Sequence, residues 1–257
     1  MAFIRQYRDS DFDNMSHIGF RLPKKNHQCR ATLPPSLSAS EPARRLAPYI
    51  WTHQYTHLSP STCFVLDDGA GRAVGYCIGC PDVAALCAAY PRYVREVLEG
   101  RGRANGDVRL TRPSPPAADP SEPDAAAAAA AAAAPWIDPD TGRISELALA
   151  QLAFSAQRLL VDGHEDLLAE GYRGTMHIDL LSEHQGRGWG RRLIEVLVKS
   201  MKARSDDEEE GKGETHKGIW LGVGRENEKV VPFYEKLGFY VKERVVKTST
   251  IIMVRDY

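Results

Sequence analysis

The stretch Met176-His177-Ile178-Asp179-Leu180-Leu181-Ser182-Glu183-His184-Gln185-Gly186-Arg187-Gly188-Trp189-Gly190-Arg191-Arg192 decides how this chain of 257 residues is read. Residues 176–181 are a short run rich in apolar side chains, the pattern of a buried strand. From Arg191 to Ala203 the residues Leu193, Ile194, Leu197, Val198 and Met201 recur at three- and four-residue spacing, which predicts a helix with one apolar face. Between the two stand three glycines in five positions. Glycine lets a backbone come close to a ligand, and a helix N-terminus presents unpaired N–H groups with positive dipole character, so this turn is suited to hold phosphates. A P-loop would close on Gly-Lys-Ser/Thr where this turn closes on Gly190-Arg191-Arg192, and G-x-G-x-x-G would need glycine where Arg191 stands. A turn serving only chain reversal would explain one or two glycines, but not a run interleaved with Arg187, Arg191 and Arg192.

Outward from this stretch the chain alternates helix and strand. Ile219 to Val223 reads as a strand, Glu228 to Leu237 as a short helix, and Phe239 to Lys242 with Thr248 to Val254 as closing strands. Upstream, Phe3 to Tyr7 is a strand, Asp9-Ser10-Asp11 caps a helix through Met15 and Ile18, and Ala43 to Tyr55 is helical. Cys63 to Leu66 and Ala73 to Gly79 flank a Gly/Asp turn and make a hairpin; Asp82 to Glu99 and Glu146 to Leu160 are helices. The pattern is a mixed α/β sheet.

Two segments distort the composition. Residues 101–135 hold six prolines and ten consecutive alanines and read as a disordered Pro/Ala-rich insertion. Residues 205–217 hold an acidic run with glycines and read as a flexible solvated loop. Without them the remainder is the length of one domain, and 1–257 is taken as such.

Hydrophobic residues are 43% of the chain and charged residues 26%, ordinary for a globular protein. Thirty-three basic against 34 acidic side chains give a net charge of −1, which argues against a general nucleic-acid binder. The N-terminus carries charges where a secretory peptide needs an apolar run, and no stretch approaches a membrane span, so neither membrane nor nucleic acid is expected as partner and the compartment is the cytosol or the nucleus. Five cysteines without framework spacing fit reduced thiols. Cys77 and Cys80 form a nominal C-x-x-C, but positions three apart on a strand face opposite ways, so no metal is expected.

Gln185-x-x-Gly188-x-Gly190 resembles the Q/R-x-x-G-x-G/A turn of the GCN5-related N-acetyltransferases, the GNAT superfamily. Asn227 through Val230-Val231-Pro232-Phe233-Tyr234-Glu235-Lys236-Leu237-Gly238-Phe239 resembles that family's N-x-x-A-x-x-F-Y-x-x-x-G-F segment, with Val230 in place of the usual small residue. Within the superfamily, His177 to Leu181 with Gln185 to Arg192 is similar to the acetyltransferase-like domains related to the C-terminal part of eukaryotic O-GlcNAc hydrolases. The resemblance is strong over Thr175 to Phe239 and looser over the hairpin. It implies the GNAT fold, α/β with a mixed, mostly antiparallel central sheet flanked by helices, and acetyl-CoA as co-substrate. It further implies that Gln185, Gly186, Arg187, Gly188, Trp189, Gly190 and Arg191 hold the pyrophosphate, that Asn227 meets the pantetheine arm, and that backbone at Leu180 and Leu181 pairs with pantetheine and polarises the thioester. An amide before a helix is equally a cap, so Asn227 has both readings.

Acetyl transfer to an amine needs a neutral amine, a polarised carbonyl and a proton for the departing thiolate, and direct transfer in a ternary complex needs no covalent enzyme intermediate. Asp179 lies inside an otherwise apolar strand, where a carboxylate is costly unless paired or used. It either orients or deprotonates the amine, or is a structural acid bonded to a neighbouring loop. Tyr234 matches the family's acid toward the thiolate, and otherwise packs with Phe233 and Phe239. Trp51 and Tyr55, upstream of the hairpin, are placed on the acceptor side or in the core; His177, on the face of Asp179, is grouped with them. The acceptor is expected to be a primary amine of a small molecule, an amino sugar such as glucosamine first by resemblance. A protein lysine is the second reading, and a catalytically silent acyl-CoA or partner-binding module the third.

Overall fold

The computed structural model describes residues 1–18, 40–109, 136, 137, 141, 143–212, 216–244 and 250–257. The seven strands among the described residues join one sheet in the order β1-β2-β3-β4-β5-β7-β6, where β1 is Phe3–Gln6, β2 Phe64–Asp67, β3 Ala73–Cys80, β4 Gly174–Leu180, β5 Gly218–Gly224, β6 Tyr240–Val241 and β7 Thr250–Asp256. Every neighbouring pair is antiparallel except β4 with β5. This is the expected mixed, mostly antiparallel sheet.

The sheet separates two apolar cores. Against one face lies a long helix, Trp189–Lys212, whose Leu193, Ile194, Leu197, Val198 and Met201 are buried as the spacing dictates. Against the other face pack α1 (Phe12–Ile18), α2 (Glu41–Trp51), α3 (His53–Leu58), α4 (Val83–Tyr93), α5 (Glu146–Ala153) and α6 (Glu165–Ala169), so the long helix is α7 and Val231–Glu235 is α8. Ser40, Asp82 and Ser145 cap α2, α4 and α5 by accepting the N–H of Ala43, Ala85 and Ala148. At the sheet edge Arg5 donates to both oxygens of Asp11, at 2.7 and 2.8 Å, and to Asp67 at 2.8 Å, so two buried carboxylates share one guanidinium.

Several boundaries differ from the sequence reading. The helix expected over Ala43 to Tyr55 breaks at Thr52, where the backbone leaves helical geometry and the side-chain hydroxyl lies 3.3 Å from that of Tyr76. The helix expected over Glu146 to Leu160 ends at Ala153 and resumes as a π-helical turn over Gln157–Val161. The acidic run expected as a loop over 205–217 instead continues α7 to Lys212; it holds no breaker before Gly211, and glutamate is a good helix former. The start of the expected insertion is also ordered. A π-helical continuation of α4 spans Val94–Gly102, Val108 is buried, and Asp107 accepts the Tyr49 hydroxyl at 2.7 Å. Residues 110–135, with the alanine run, lie outside the described residues, as does Cys29. Cys77 packs under α7 and Cys80 in the opposite core, as alternation requires. Among the described residues no helix is long and apolar enough to cross a membrane, and no group of three or more His, Cys, Asp or Glu is placed to hold a metal.

Candidate active site

The site begins where two parallel strands part. β4 and β5 pair only at Gly174 with Ile219 and Thr175 with Trp220. Beyond that point each keeps its outer neighbour: β4 stays paired with β3 up to Leu180, and β5 with β7 up to Gly224. The inner edges therefore diverge into a cleft, and the groups on them face the gap. Leu181 N–H donates to Val74 O at 3.0 Å, on the β3 side, so by alternation the N–H groups of Leu180 and Ile178 face the cleft. Of the two leucines expected to offer backbone to a ligand, Leu180 turns its N–H to the cleft, whereas the N–H of Leu181 is taken by β3.

The cleft opens into a cavity of about 510 Å³, lined by Ile178, Asp179, Leu180, Gln185, Gly186, Gly188, Gly190, Arg191, Asn227, Lys229, Val230, Phe233, Tyr234 and Lys236. The glycine-rich turn forms one wall. Gly186 and Gly188 have φ of 71° and 80°, a left-handed backbone that favours glycine. The backbone bond from Arg192 N–H to Gly188 O starts the ladder of α7, so the N–H groups of Trp189, Gly190 and Arg191 have no intrahelical acceptor. A Cβ at Gly190 would stand 3.1 Å from the Phe233 ring, so the absent side chain is what lets turn and opposite wall meet. Gln185 lines the cavity, yet its amide donates to Leu180 O at 2.8 Å, fastening the turn to the end of β4.

The other expected anion-binding side chains divide. Arg191 lines the cavity, whereas Arg187 does not. The Trp189 ring is partly buried against the core beneath α7, with the Arg192 guanidinium 5.0 Å from its ring centre, so Trp189 can offer the site only its backbone. Lys229 and Lys236, to which the sequence assigned no role, complete a wall of three cations with Arg191. Their seven-residue spacing after Asn227, with Phe233 between, was the available signal for one shared face. Asn227 lines the cavity with non-helical φ and ψ of −110° and 18°, kinking the turn that leads into α8.

Asp179 and Tyr234 stand on this same cavity. Asp179 is 3% exposed. Its Oδ2 accepts the Tyr76 hydroxyl at 2.5 Å and lies 3.1 Å from His177 Nε2, while Oδ1 is buried with no hydrogen-bond partner among the described residues. Tyr234 is half-buried and packs edge-on against Phe233 and Phe239, with ring centres 5.2 and 5.7 Å away. Burial, with Cys77 and Asp179 nearby, raises its phenol well above the ordinary tyrosine range.

Three residues grouped with the acceptor lie elsewhere. Tyr55 is 4% exposed within the core under α3, and Trp51 packs edge-on against Trp136 at 6.0 Å, so the helical period turned both toward apolar neighbours and away from the cavity. His177 meets Asp179 without lining the cavity.

The sequence profile of the acetyltransferase (GNAT) family matches residues 109–239, half of the chain. The chain belongs to the GNAT acetyltransferase family. Among solved structures, that of SsHAT is similar at 25% identity and TM-score 0.65, over 99% of this chain and 98% of that one. More distant are PH1933 from Pyrococcus horikoshii, at 13% identity and TM-score 0.47 over 100% and 99% of the two chains, and the ribosomal-protein-S18-alanine N-acetyltransferase from Escherichia coli, at 15% and 0.42 over 100% and 94%. No curated protein sequence matches the chain. As a GNAT protein this is an acyltransferase, and the family's co-substrate is acetyl-CoA. The cavity fits that molecule chemically: three cations and the free N–H groups of α7 suit its phosphates, and the unpaired edge of β4 suits an amide-bearing arm.

Proposed function

We propose that this protein transfers acetyl from acetyl-CoA to a primary amine of a small molecule, an amino sugar such as glucosamine first. The observation that carries the reading is Oδ1 of Asp179, a buried carboxylate oxygen without a partner among the described residues, on a residue that lines the same cavity as Tyr234. An orphaned acceptor there is costly until a donor fills it, and the N–H of an incoming amine is such a donor.

Bound acetyl-CoA supplies an activated thioester carbonyl. Arg191, Lys229, Lys236 and the first-turn N–H groups of α7 would hold its phosphates, and Asn227 its arm. Asp179 orients the amine through Oδ1 and takes its proton. The N–H of Leu180, facing the cleft, is the donor available to the acyl oxygen. Tyr234, kept protonated by burial, holds at its hydroxyl the proton that a departing sulfur needs. Phe233, Val230 and Ile178 give that wall its apolar side chains.

The amino-sugar preference rests on the resemblance of residues 177–192 to the sugar-hydrolase-associated acetyltransferase-like domains. The test is thiol release from acetyl-CoA with glucosamine, a lysine peptide and simple alkyl amines in parallel. Turnover with glucosamine well above the others supports the reading, and preference for the peptide replaces the acceptor with a protein lysine. No turnover on any amine, with CoA still bound, makes the chain a binding module.

A further inference from the structure

We infer that Tyr76 is a positioning residue for this reaction: by holding Oδ2 of Asp179 it leaves Oδ1 as the one carboxylate oxygen turned to the acceptor amine. The inference rests on the acetyl-transfer reading above and adds to it a residue outside the cavity lining.

Tyr76 and Asp179 are directly opposed in the β3/β4 ladder, so their side chains rise from the same face of the sheet. The tyrosine is fully buried and gives its only hydroxyl proton to Oδ2 at 2.5 Å. Thr52 Oγ1 lies 3.3 Å from that hydroxyl, and since the tyrosine proton is engaged, threonine is the donor between them. His177 Nε2 approaches the same Oδ2 at 3.1 Å, with its ring stacked on that of Tyr76 at 6.1 Å between centres. Tyr76, itself bonded by Thr52, and His177 thus converge on one oxygen and leave the other without a partner among the described residues. A carboxylate kept only for the fold is stabilised most when both oxygens are bonded; this arrangement is completed by a ligand. It also stops the carboxylate from rotating to offer either oxygen.

The titratable groups near Asp179 are Tyr76 and Cys77 from β3, His177 on its own strand and Tyr234 from α8. Among the described residues, only Tyr76 and His177 bond its carboxylate. A carboxylate that loses a donor holds its proton more tightly, so removing the Tyr76 hydroxyl must move the acid limb of the rate profile to higher pH.

The experiment is steady-state kinetics of the full chain with acetyl-CoA and glucosamine, or the amine preferred in the panel, from pH 5 to 9. In Tyr76→Phe, kcat/KM for the amine should fall about 10- to 100-fold with the KM for acetyl-CoA nearly unchanged, and the acid limb should rise by roughly half a pH unit or more. Thr52→Val, one bond further away, should move the limb the same way by less, and it carries the test if Tyr76→Phe does not fold. A limb that stays in place in the folded variants, or a KM for acetyl-CoA that rises along with the loss, would make Tyr76 merely structural. Asp179→Asn separates the two levels. If it keeps the wild-type limb, the Asp179 reading fails. If it abolishes the limb while Tyr76→Phe leaves it unmoved, only the role of Tyr76 fails.

Discussion

Tyr76 and Asp179 face each other across neighbouring antiparallel strands, and the 2.5 Å bond between them engages Oδ2 of a carboxylate whose Oδ1 has no hydrogen-bond partner among the described residues. Tyr234 reaches the same cavity from a helix 55 positions further along the chain, so two candidate proton-handling groups meet there from separate elements.

If Asp179 takes the amine proton and Tyr234 supplies one to the thiolate, Asp179→Asn and Tyr234→Phe each lower kcat by about 10²-fold or more, while acetyl-CoA affinity changes little. Steady-state rates together with CoA binding by calorimetry check both halves. Wild-type rates in either variant would remove that residue from the chemistry.

The raised phenol of Tyr234 has a defined consequence at high pH. Because burial favours its neutral form, the proton is retained beyond pH 10, where an exposed tyrosine would be half ionised. The rate should therefore show no Tyr234-dependent decline up to about pH 10. The ratio of wild-type to Tyr234→Phe rates, followed from pH 7 to 10, should stay constant.

Gly188 has φ of 80° and no atom within 4 Å of an added Cβ, so alanine there meets backbone strain and no clash. The strain is about 1–2 kcal/mol, and it falls on the turn that starts α7. Gly188→Ala should raise the KM for acetyl-CoA by roughly tenfold while thermal unfolding shifts only a few degrees. Charge reversal at Lys229 or Lys236 should raise the same KM without touching kcat, more strongly at low ionic strength.

His53 is fully buried, stacked on Phe12 at 3.6 Å between ring centres, with Nε2 2.8 Å from Ser16 Oγ. Burial, and secondarily Arg101, lowers its imidazole from 6.5 to about 3. The folded state thus binds this proton more weakly than the unfolded chain. The stability His53 contributes is complete above about pH 6.5 and is lost as pH falls from there toward about 3, by up to ~1.4 kcal/mol per pH unit. Urea unfolding of wild type and His53→Gln between pH 7 and 4 should show a flatter dependence in the variant.

Arg5 neutralises two carboxylates that are almost wholly out of solvent, Asp11 and Asp67. Arg5→Leu leaves both without a counter-charge, with only the backbone N–H groups of Arg8 on Asp11 and of Gly69 and Gly71 on Asp67, and should cost about 3–5 kcal/mol in urea unfolding. Acetyl-CoA affinity of the folded fraction should be unchanged, since the edge strand β1 is three strands from the cleft.

Much of this protein was legible in the sequence because its signals are local. The period of Leu193 to Met201 dictates which side of α7 is buried, and left-handed glycines beside a helix start describe the turn whatever surrounds it. Alternation along residues 176–181 likewise puts Asp179 and His177 on one face. Helix ends were less legible, because the acidic run of α7 has helix propensity while its charge reads as loop. What tertiary structure alone decided are the relations between distant segments. The strand register sets Tyr76 against Asp179 across 103 positions, and the parting of β4 from β5 after Thr175 makes the cleft. The same packing sends Trp51 and Tyr55 to the core and brings Lys229 and Lys236 to the cavity. Local pattern fixes each element's faces because backbone geometry repeats over a few residues. Which faces meet depends on register and packing summed over the whole chain, and the polarity of a single segment does not encode that.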